Sequence, residues 1–321
     1  MFTLTIKDKK MLEKIFRRKK PKAKPVNSVS FAIKETIYKV VGRDAIPSMP
    51  FAAQKAFKVA TDPEADADDF VEVIESDEAL AARIIKIANS VYYDRGKKSS
   101  TIQEAVNVIG LNEVRSFLNS SILANLFPST HPLREQFWIN DIATAIIAKR
   151  LAQMISPGQA DLYFLAGLMH DIGKLLLVQK SPHLYEAIIE KVKTKGTNFI
   201  ENELEVFPFT HCDVGKLIAK KWGFSSFLAI AIGLHHHSLE ELEEIEESAA
   251  QTAAVIKAAD LIAHSLGLGH RQDYSLFSTY CRESLPATLN FLGVGQKTEV
   301  LLEEAKKAFD VEGEMYLELA N

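Results

Sequence analysis

The chain has 321 residues, of which 47% are hydrophobic and 25% charged, and its net charge is −4. This composition is typical of a globular protein with a sizeable core, and it gives no general attraction to nucleic acid. Two cysteines are too few for a disulfide framework or a thiolate zinc site, and they favour a reducing, cytoplasmic location. We find no apolar core of a signal peptide and no uncharged run of roughly 18–20 apolar residues.

Residues 1–25 form a basic arm in which ten lysine and arginine residues face two acidic ones. The apolar residues between positions 11 and 16 have helical spacing, so a short basic amphipathic helix is one interpretation. Such a helix can make weak contact with an anionic membrane. The alternative is a solvated, partly disordered tail, because isolated helices this short are marginal in water. We place the arm at residues 1–30.

From Phe31 onward the hydrophobic spacing predicts helices almost without interruption. A Pro47–Pro50 turn leads into a helix from Phe51, and Asp77 is placed to cap a helix with one apolar face. Thr101 begins a predicted capping box, and Asn112 is placed to cap a later helix. The chain lacks β-branched runs bounded by hairpin turns, which makes a sheet-based fold a poor match.

Prolines support the same fold class. Pro132, Pro157 and Pro182 stand where new helices are expected to start, and serines precede the last two as candidate caps. We find no proline inside a strongly periodic segment, as a helical protein requires. A long helix is predicted over 248–268. The sequence therefore predicts an all-α protein.

The segment Leu162–Gln179 is an apolar stretch interrupted by His170, Asp171 and Lys174. We interpret it as a single buried helix. Because an unpaired polar or charged group is costly in such a place, partners from elsewhere in the chain are expected to satisfy the His–Asp pair.

Candidate partners occur at apolar positions on other predicted helices. They are His211 at the start of a helix, His235 and His236 at the end of another, and Asp260 within a third. Imidazole and carboxylate ligands favour zinc, iron, manganese or nickel over calcium. The alternatives are a hydrogen-bonded core histidine, a helix-end role for His236, pairing of Asp260 with His264, and a Lys174 side chain that extends to the surface.

This order of residues resembles the HD superfamily of metal-dependent phosphohydrolases, and the upstream helices resemble its HDOD subfamily, the HD-related output domain of bacterial signalling proteins. The matching positions are Pro47–Pro50, Asp77, Leu80, Arg83, Ala88–Ser90, Ile109–Leu111, Arg115, Phe137–Trp138, Leu168–Lys174, His211, Gly215, Trp222, His235–His236 and Ala259–Asp260. The resemblance implies a multi-helical HD-like fold. Its N-terminal helical part would cover 31–128, its HD-like core 129–270, and a C-terminal helical extension 271–321.

The resemblance also implies a ligand set for one or two divalent ions of Fe, Mn, Zn or Ni. The matching residues are His170, Asp171, His211, His235, His236 and Asp260. Asn140 stands where metal-binding HD proteins have a first histidine, and Lys174 matches a lysine of the phosphodiesterase relatives. Those relatives carry a Gly-Tyr-Pro signature after the paired histidines, which this chain lacks.

Two functions follow from the resemblance, and a third from the arm. The first is a regulatory signal-transduction domain without catalysis, whose protein partners the sequence does not identify. The second is a metal-dependent phosphohydrolase or phosphodiesterase in which Lys174 stabilises charge on a phosphoryl oxygen. The third is docking of residues 1–25 to a membrane or nucleic acid, although no specific nucleic acid is predicted.

Overall fold

The structure is a computed structural model. It describes residues 29–318 apart from positions 50, 63, 95, 129, 271 and 295–297. Every regular element in this part of the chain is a helix, which confirms the all-α prediction. No helix among the described residues is both long enough and apolar enough to cross a membrane. The basic arm of residues 1–25 lies outside the described residues, and its predicted role stays a prediction.

Seventeen α-helices follow one another through the described residues. They are α1 Phe31–Val41, α2 Phe51–Thr61, α3 Ala67–Glu75, α4 Glu78–Ala88, α5 Ile102–Ile109, α6 Leu111–Leu126, α7 Pro132–Ile155, α8 Ala160–Met169, α9 Ile172–Lys180, α10 Pro182–Lys195, α11 Phe199–Leu204, α12 His211–Trp222, α13 Ser226–Leu234, α14 Leu239–Glu243, α15 Glu247–Ser265, α16 Ser275–Phe291 and α17 Thr298–Glu318. Short 3₁₀ turns lie at Val91–Tyr93, Pro157–Gln159 and Gln272–Tyr274.

Local capping chemistry sets several of these helix starts. Asp77 caps α4 by accepting the N–H of Leu80 at 3.0 Å, as predicted. The capping box predicted at Thr101 is only half formed, because the Glu104 carboxylate accepts from Ser100 instead of from Thr101. The predicted cap at residue 112 is wrong: α6 already begins at residue 111.

Two further helix predictions need correction. The serines before Pro157 and Pro182 occupy cap positions, but their side chains make no capping hydrogen bond. Pro286 lies inside α16, so the rule that prolines fall only at helix boundaries fails there. The long helix expected over 248–268 is observed as α15.

The core is built around α7, which packs along α8 and α15, while α15 packs along α16. Gly167 allows α8 to approach α7 closely, since a Cβ there would lie 2.8 Å from the Ala145 Cα and the Thr144 carbonyl oxygen. One continuous apolar core extends from α1 to α17. The predicted boundaries at 128/129 and 270/271 stay predictions, because a shared core does not decide where a domain ends.

Polar contacts also join the N-terminal helices to the later ones. Trp222, the last residue of α12, donates its indole N–H to the Pro47 carbonyl at 2.9 Å, and Lys221 donates to the Ile46 carbonyl at 2.7 Å. Within the N-terminal part, Arg115 donates to the carbonyls of Ala60 and Asp62 at 3.0 and 2.6 Å. These bonds satisfy carbonyl groups that the end of α2 and the Pro47 turn leave without helical partners.

Candidate metal centre

The His170–Asp171 pair lies at a break between two helices, which corrects the expectation of one continuous helix. Helix α8 ends at residue 169 and α9 begins at residue 172. At the break, the backbone N–H of Lys174 donates to the Asp171 carbonyl at 2.7 Å. Gly173 lies against the start of α12, where a Cβ would fall 2.0 Å from the His211 carbonyl oxygen. The break and this glycine therefore bring the pair next to His211.

Four of the predicted ligands converge on one point: Asp171, His211, His235 and His236. The Asp171 Oδ1 lies 3.1 Å from the His211 Nε2 and 3.5 Å from the His235 Nε2. The two Nε2 atoms are 3.4 Å apart. Nitrogen and oxygen ligands about 2.0–2.2 Å from one tetrahedral ion are roughly 3.3–3.6 Å from each other. Two of the three spacings lie in that range, and the third, 3.1 Å, is slightly shorter.

The protein holds each of these imidazoles through its other nitrogen. The Nδ1 of His211 lies 2.9 Å from both oxygens of Glu203, and the Nδ1 of His235 lies 2.9 Å from the Ala231 carbonyl oxygen. Those acceptors take the hydrogen on Nδ1, and the Nε2 atoms of both rings are directed at the Asp171 Oδ1. Fixing the outer nitrogen in this way is how proteins orient histidine ligands.

Glu203 is a site residue that the sequence reasoning missed. It lies on α11, is fully buried, and accepts from the backbone N–H of His211 at 2.8 Å and from the Tyr185 hydroxyl at 2.6 Å. Three donors thus converge on one buried carboxylate. A glutamate in a short polar helix is ordinary in a sequence, and only the position of α11 against α12 distinguishes this one.

A second set of polar atoms lies beside the four-residue cluster. The Nε2 of His170 is 3.4 Å from the Asp171 Oδ2 and 3.5 Å from the Asp260 Oδ1, while His264 contacts the same Asp260 oxygen at 3.1 Å. Asp260 thus makes the contact with His264 that was the alternative to metal binding. Lys174 forms an ion pair with the Asp171 Oδ2 and is 1% exposed, so it does not extend to the surface.

The Asn140 side chain contacts the segment that follows α15. Its side-chain amide donates to the Leu268 carbonyl at 3.4 Å, and Gly269 packs so closely that a Cβ would fall 2.6 Å from the Asn140 Cβ. The neighbouring Asp141 is completely buried, with its Oδ1 at 3.7 Å from the His170 Nδ1. The His170 Nδ1 is held by the Gly167 carbonyl oxygen at 2.7 Å, so Asp141 lies beside this histidine without the hydrogen bond that Glu203 makes to His211.

Burial and neighbouring charges set the protonation of the site. Burial would raise the pKa of Asp171, but His170, Lys174 and His211 outweigh it and hold that pKa well below its usual value. Burial lowers the pKa of His235 to about 4, so its imidazole is neutral. Burial would also lower the pKa of His170, yet Asp171 and Asp260 raise it to about 9. Burial raises the pKa of Asp141 well above its usual value.

The site passes a test of fit for a divalent transition metal. Several buried atoms that face the cluster have no hydrogen-bond partner among the described residues, including the Asp171 Oδ1 and the His236 Nε2. An ionised carboxylate and a neutral imidazole are the forms that coordinate such metals. A cavity of about 390 Å³ reaches the cluster, and its lining includes His236, Lys257 and Asp260.

The helical fold and the His–Asp cluster at a helix break define a protein of the HD class. The model of the HDOD domain family matches residues 46–238, which is more than half of the chain, and the chain belongs to the HDOD family. The resemblance noted in the sequence is therefore confirmed at the level of the family.

Solved structures of similar fold come from several bacteria. An HDOD domain protein of unknown function from Geobacter sulfurreducens has a TM-score of 0.68 at 22% identity, covering 90% of this chain and 95% of its own. A protein of Shewanella amazonensis SB2B, described as a candidate phosphohydrolase, has a TM-score of 0.66 at 22% identity, covering 91% and 97%. A protein of Marinobacter aquaeolei VT8, described as a candidate signal transduction protein, has a TM-score of 0.68 at 20% identity, covering 88% and 66%.

A curated relative is an uncharacterized protein of Treponema pallidum (strain Nichols). It is 24% identical over 222 residues, which are 68% of this chain and 43% of the relative. The chain thus spans less than half the length of that relative. At these identities the solved structures support the fold and leave the chemistry to be argued from the site itself.

Proposed function

We propose that this chain is a regulatory HDOD domain whose cluster of Asp171, His211, His235 and His236 binds a divalent transition-metal ion without hydrolysing a phosphoester. One observation carries the metal-binding part. The Nδ1 atoms of His211 and His235 are held by protein acceptors, and both Nε2 atoms are directed at the same Asp171 oxygen at 3.1 and 3.5 Å. Ligands oriented in advance in this way favour coordination over a purely structural hydrogen bond.

The regulatory part is supported by the family and by two departures from a hydrolytic site. Asn140 is engaged with the Leu268 carbonyl, which leaves the position of a first histidine without an imidazole. Lys174, the residue that would stabilise charge on a phosphoryl oxygen, is buried against Asp171. A signal transduction role is also ascribed to the Marinobacter protein of similar fold. We propose that the partner is another signalling protein.

Metal content tests the proposal directly. Protein purified without chelator and then supplied with Mn²⁺, Fe²⁺ or Zn²⁺ should retain a transition metal after desalting, as measured by elemental analysis. His211→Ala and His235→Ala should each lose most of that metal. His183→Ala is the matched control, since this histidine is 93% exposed on α10 and remote from the cluster. A folded wild-type protein that retains no metal would refute the proposal.

The second candidate function is a metal-dependent phosphohydrolase. The cavity of about 390 Å³ beside His236 and Asp260 favours it, since a phosphoester there would reach the metal ligands. A bound divalent ion lowers the pKa of a coordinated water and polarises a phosphoryl oxygen. Hydrolysis of bis(p-nitrophenyl) phosphate by the metal-loaded wild type, abolished in Asp171→Ala and retained in His183→Ala, would establish this function in place of the regulatory one.

A further inference from the structure

Lys174 occupies an unusual position for a lysine, because its ammonium group lies inside the protein beside the metal cluster. The side chain is 1% exposed and its Nζ is ion-paired with the Asp171 Oδ2. The Nζ also lies over the ring of Phe199, 3.9 Å from the ring centre, and 5.8 Å from the ring centre of Phe137. Two aromatic faces and one carboxylate therefore hold the ammonium in place.

The two oxygens of Asp171 face different surroundings. Oδ1 points to the Nε2 atoms of His211 and His235, which complete the proposed metal centre. Oδ2 points to Lys174 and, at 3.4 Å, to the His170 Nε2. A carboxylate that bridges two metal ions uses one oxygen for each, so Oδ2 marks the place where a second ion would bind.

Other polar side chains lie near Oδ2. The His170 Nε2 lies between the Asp171 Oδ2 and the Asp260 Oδ1, at 3.4 and 3.5 Å, and the His264 Nε2 follows at 3.1 Å from Asp260. Among the described residues, the second group of side chains that could hold an ion is Asp141, His170 and Asp171, and Asp260 lies outside it. In this group the Asp171 Oδ2 is already paired with the Lys174 ammonium.

We propose that the Lys174 ammonium serves as a permanent internal cation at the second metal position and restricts the site to one divalent ion. This inference rests on the proposed metal centre. A second cation at Oδ2 would be repelled by the Lys174 ammonium, which the rings of Phe199 and Phe137 hold in place. With the ammonium removed, the Asp171 Oδ2 would lose its ion-pair partner and become free to hold a second ion.

Manganese stoichiometry provides the test. Chelator-treated protein is titrated with Mn²⁺, and the six-line electron paramagnetic resonance signal of the free ion reports how many ions each chain takes up. The wild type should bind one ion per chain and Lys174→Met two, the second more weakly. Lys174→Arg keeps the charge and should remain at one. Lys257→Met is the matched control, since Lys257 lines the cavity but donates to the His237 carbonyl instead of to a carboxylate.

The possible outcomes distinguish this inference from the proposed function. Two ions in the wild type, or a single ion in both Lys174→Met and the wild type, would overturn the role of Lys174 and leave the metal centre intact. No ion in the folded wild type would overturn both. If Lys174→Met does not fold, Lys174→Gln removes the charge while keeping a donor for the Asp171 Oδ2, and two ions are again expected.

Discussion

Glu203 should control metal affinity through His211, although it does not belong to the predicted ligand set. Its carboxylate accepts from the His211 Nδ1, from the His211 backbone N–H and from the Tyr185 hydroxyl. Glu203→Gln places an amide with one acceptor oxygen where the carboxylate has two, so the His211 ring loses its negatively charged partner. Mutation of such an outer partner typically lowers metal affinity 10–100-fold, or about 1.4–2.7 kcal/mol.

The same substitution also affects the metal-free protein. At least one of the three buried groups that donate to Glu203 loses its acceptor. The free energy of unfolding should therefore fall by roughly 1–3 kcal/mol. Zinc affinity is measured by competition with a chromophoric chelator, and stability by urea unfolding of the metal-free protein. Tyr185→Phe is the control: it removes one donor to Glu203, lowers stability, and leaves the His211 contact in place. If Glu203→Gln loses stability but binds zinc as tightly as Tyr185→Phe does, Glu203 is purely structural and the reasoning is refuted.

Three further substitutions probe the scaffold. Gly173→Ala should destabilise the protein by more than about 1–3 kcal/mol and abolish metal binding, since its Cβ would displace the backbone of His211; calorimetry and elemental analysis measure both. Asp77→Ala should cost about 0.5–2 kcal/mol in urea unfolding through the lost cap of α4. Glu104→Gln should be less stable than the wild type at neutral pH, and the difference should shrink as pH falls. Hydrogen bonds from Ser100 hold the pKa of Glu104 at about 2 instead of 4.5, so that stability is present above pH 4.5 and lost toward pH 2.

Each of these expectations has its own contrary result. Gly158→Ala is the control for Gly173, because a Cβ there meets no atom within 4 Å. Equal melting temperatures for the two glycine variants would contradict the close approach of α9 and α12. Unchanged stability of Asp77→Ala would show that the cap is replaced by water. A stability difference for Glu104→Gln that stays constant from pH 7 to the lowest pH at which the protein folds would contradict the assigned pKa.

The fold class and the family were accessible from the sequence because they depend on local patterns. Helical spacing and the cap at Asp77 involve residues only a few positions apart. The His170–Asp171 pair is likewise recognisable because it interrupts an apolar run. The convergence of Asp171, His211, His235 and His236 could be inferred only through the family resemblance. The spacing of residues along the sequence does not predict that α9, α12 and α13 pack together.

The misses share a physical cause. Glu203 holds the outer nitrogen of His211, and this tertiary contact has no counterpart in the spacing of residues along the sequence. The helix break at residue 170 was hidden because the residues on both sides are apolar, as they would be in one buried helix. Pro286 inside α16 shows the same limit, since packing overrides the local preference of proline for helix ends.

Helix α12 has a further consequence, because its two ends hold different parts of the protein. Its first residue is His211 in the metal cluster, and its last is Trp222, which is bonded to the Pro47 carbonyl. Twelve helical residues span about 18 Å, so α12 connects the metal cluster to the Pro47 turn without a break. A displacement of the α12 backbone on metal binding would therefore move the Pro47 turn and the start of α2. The N-terminal helices would then report metal occupancy at a distance, without contacting the ion.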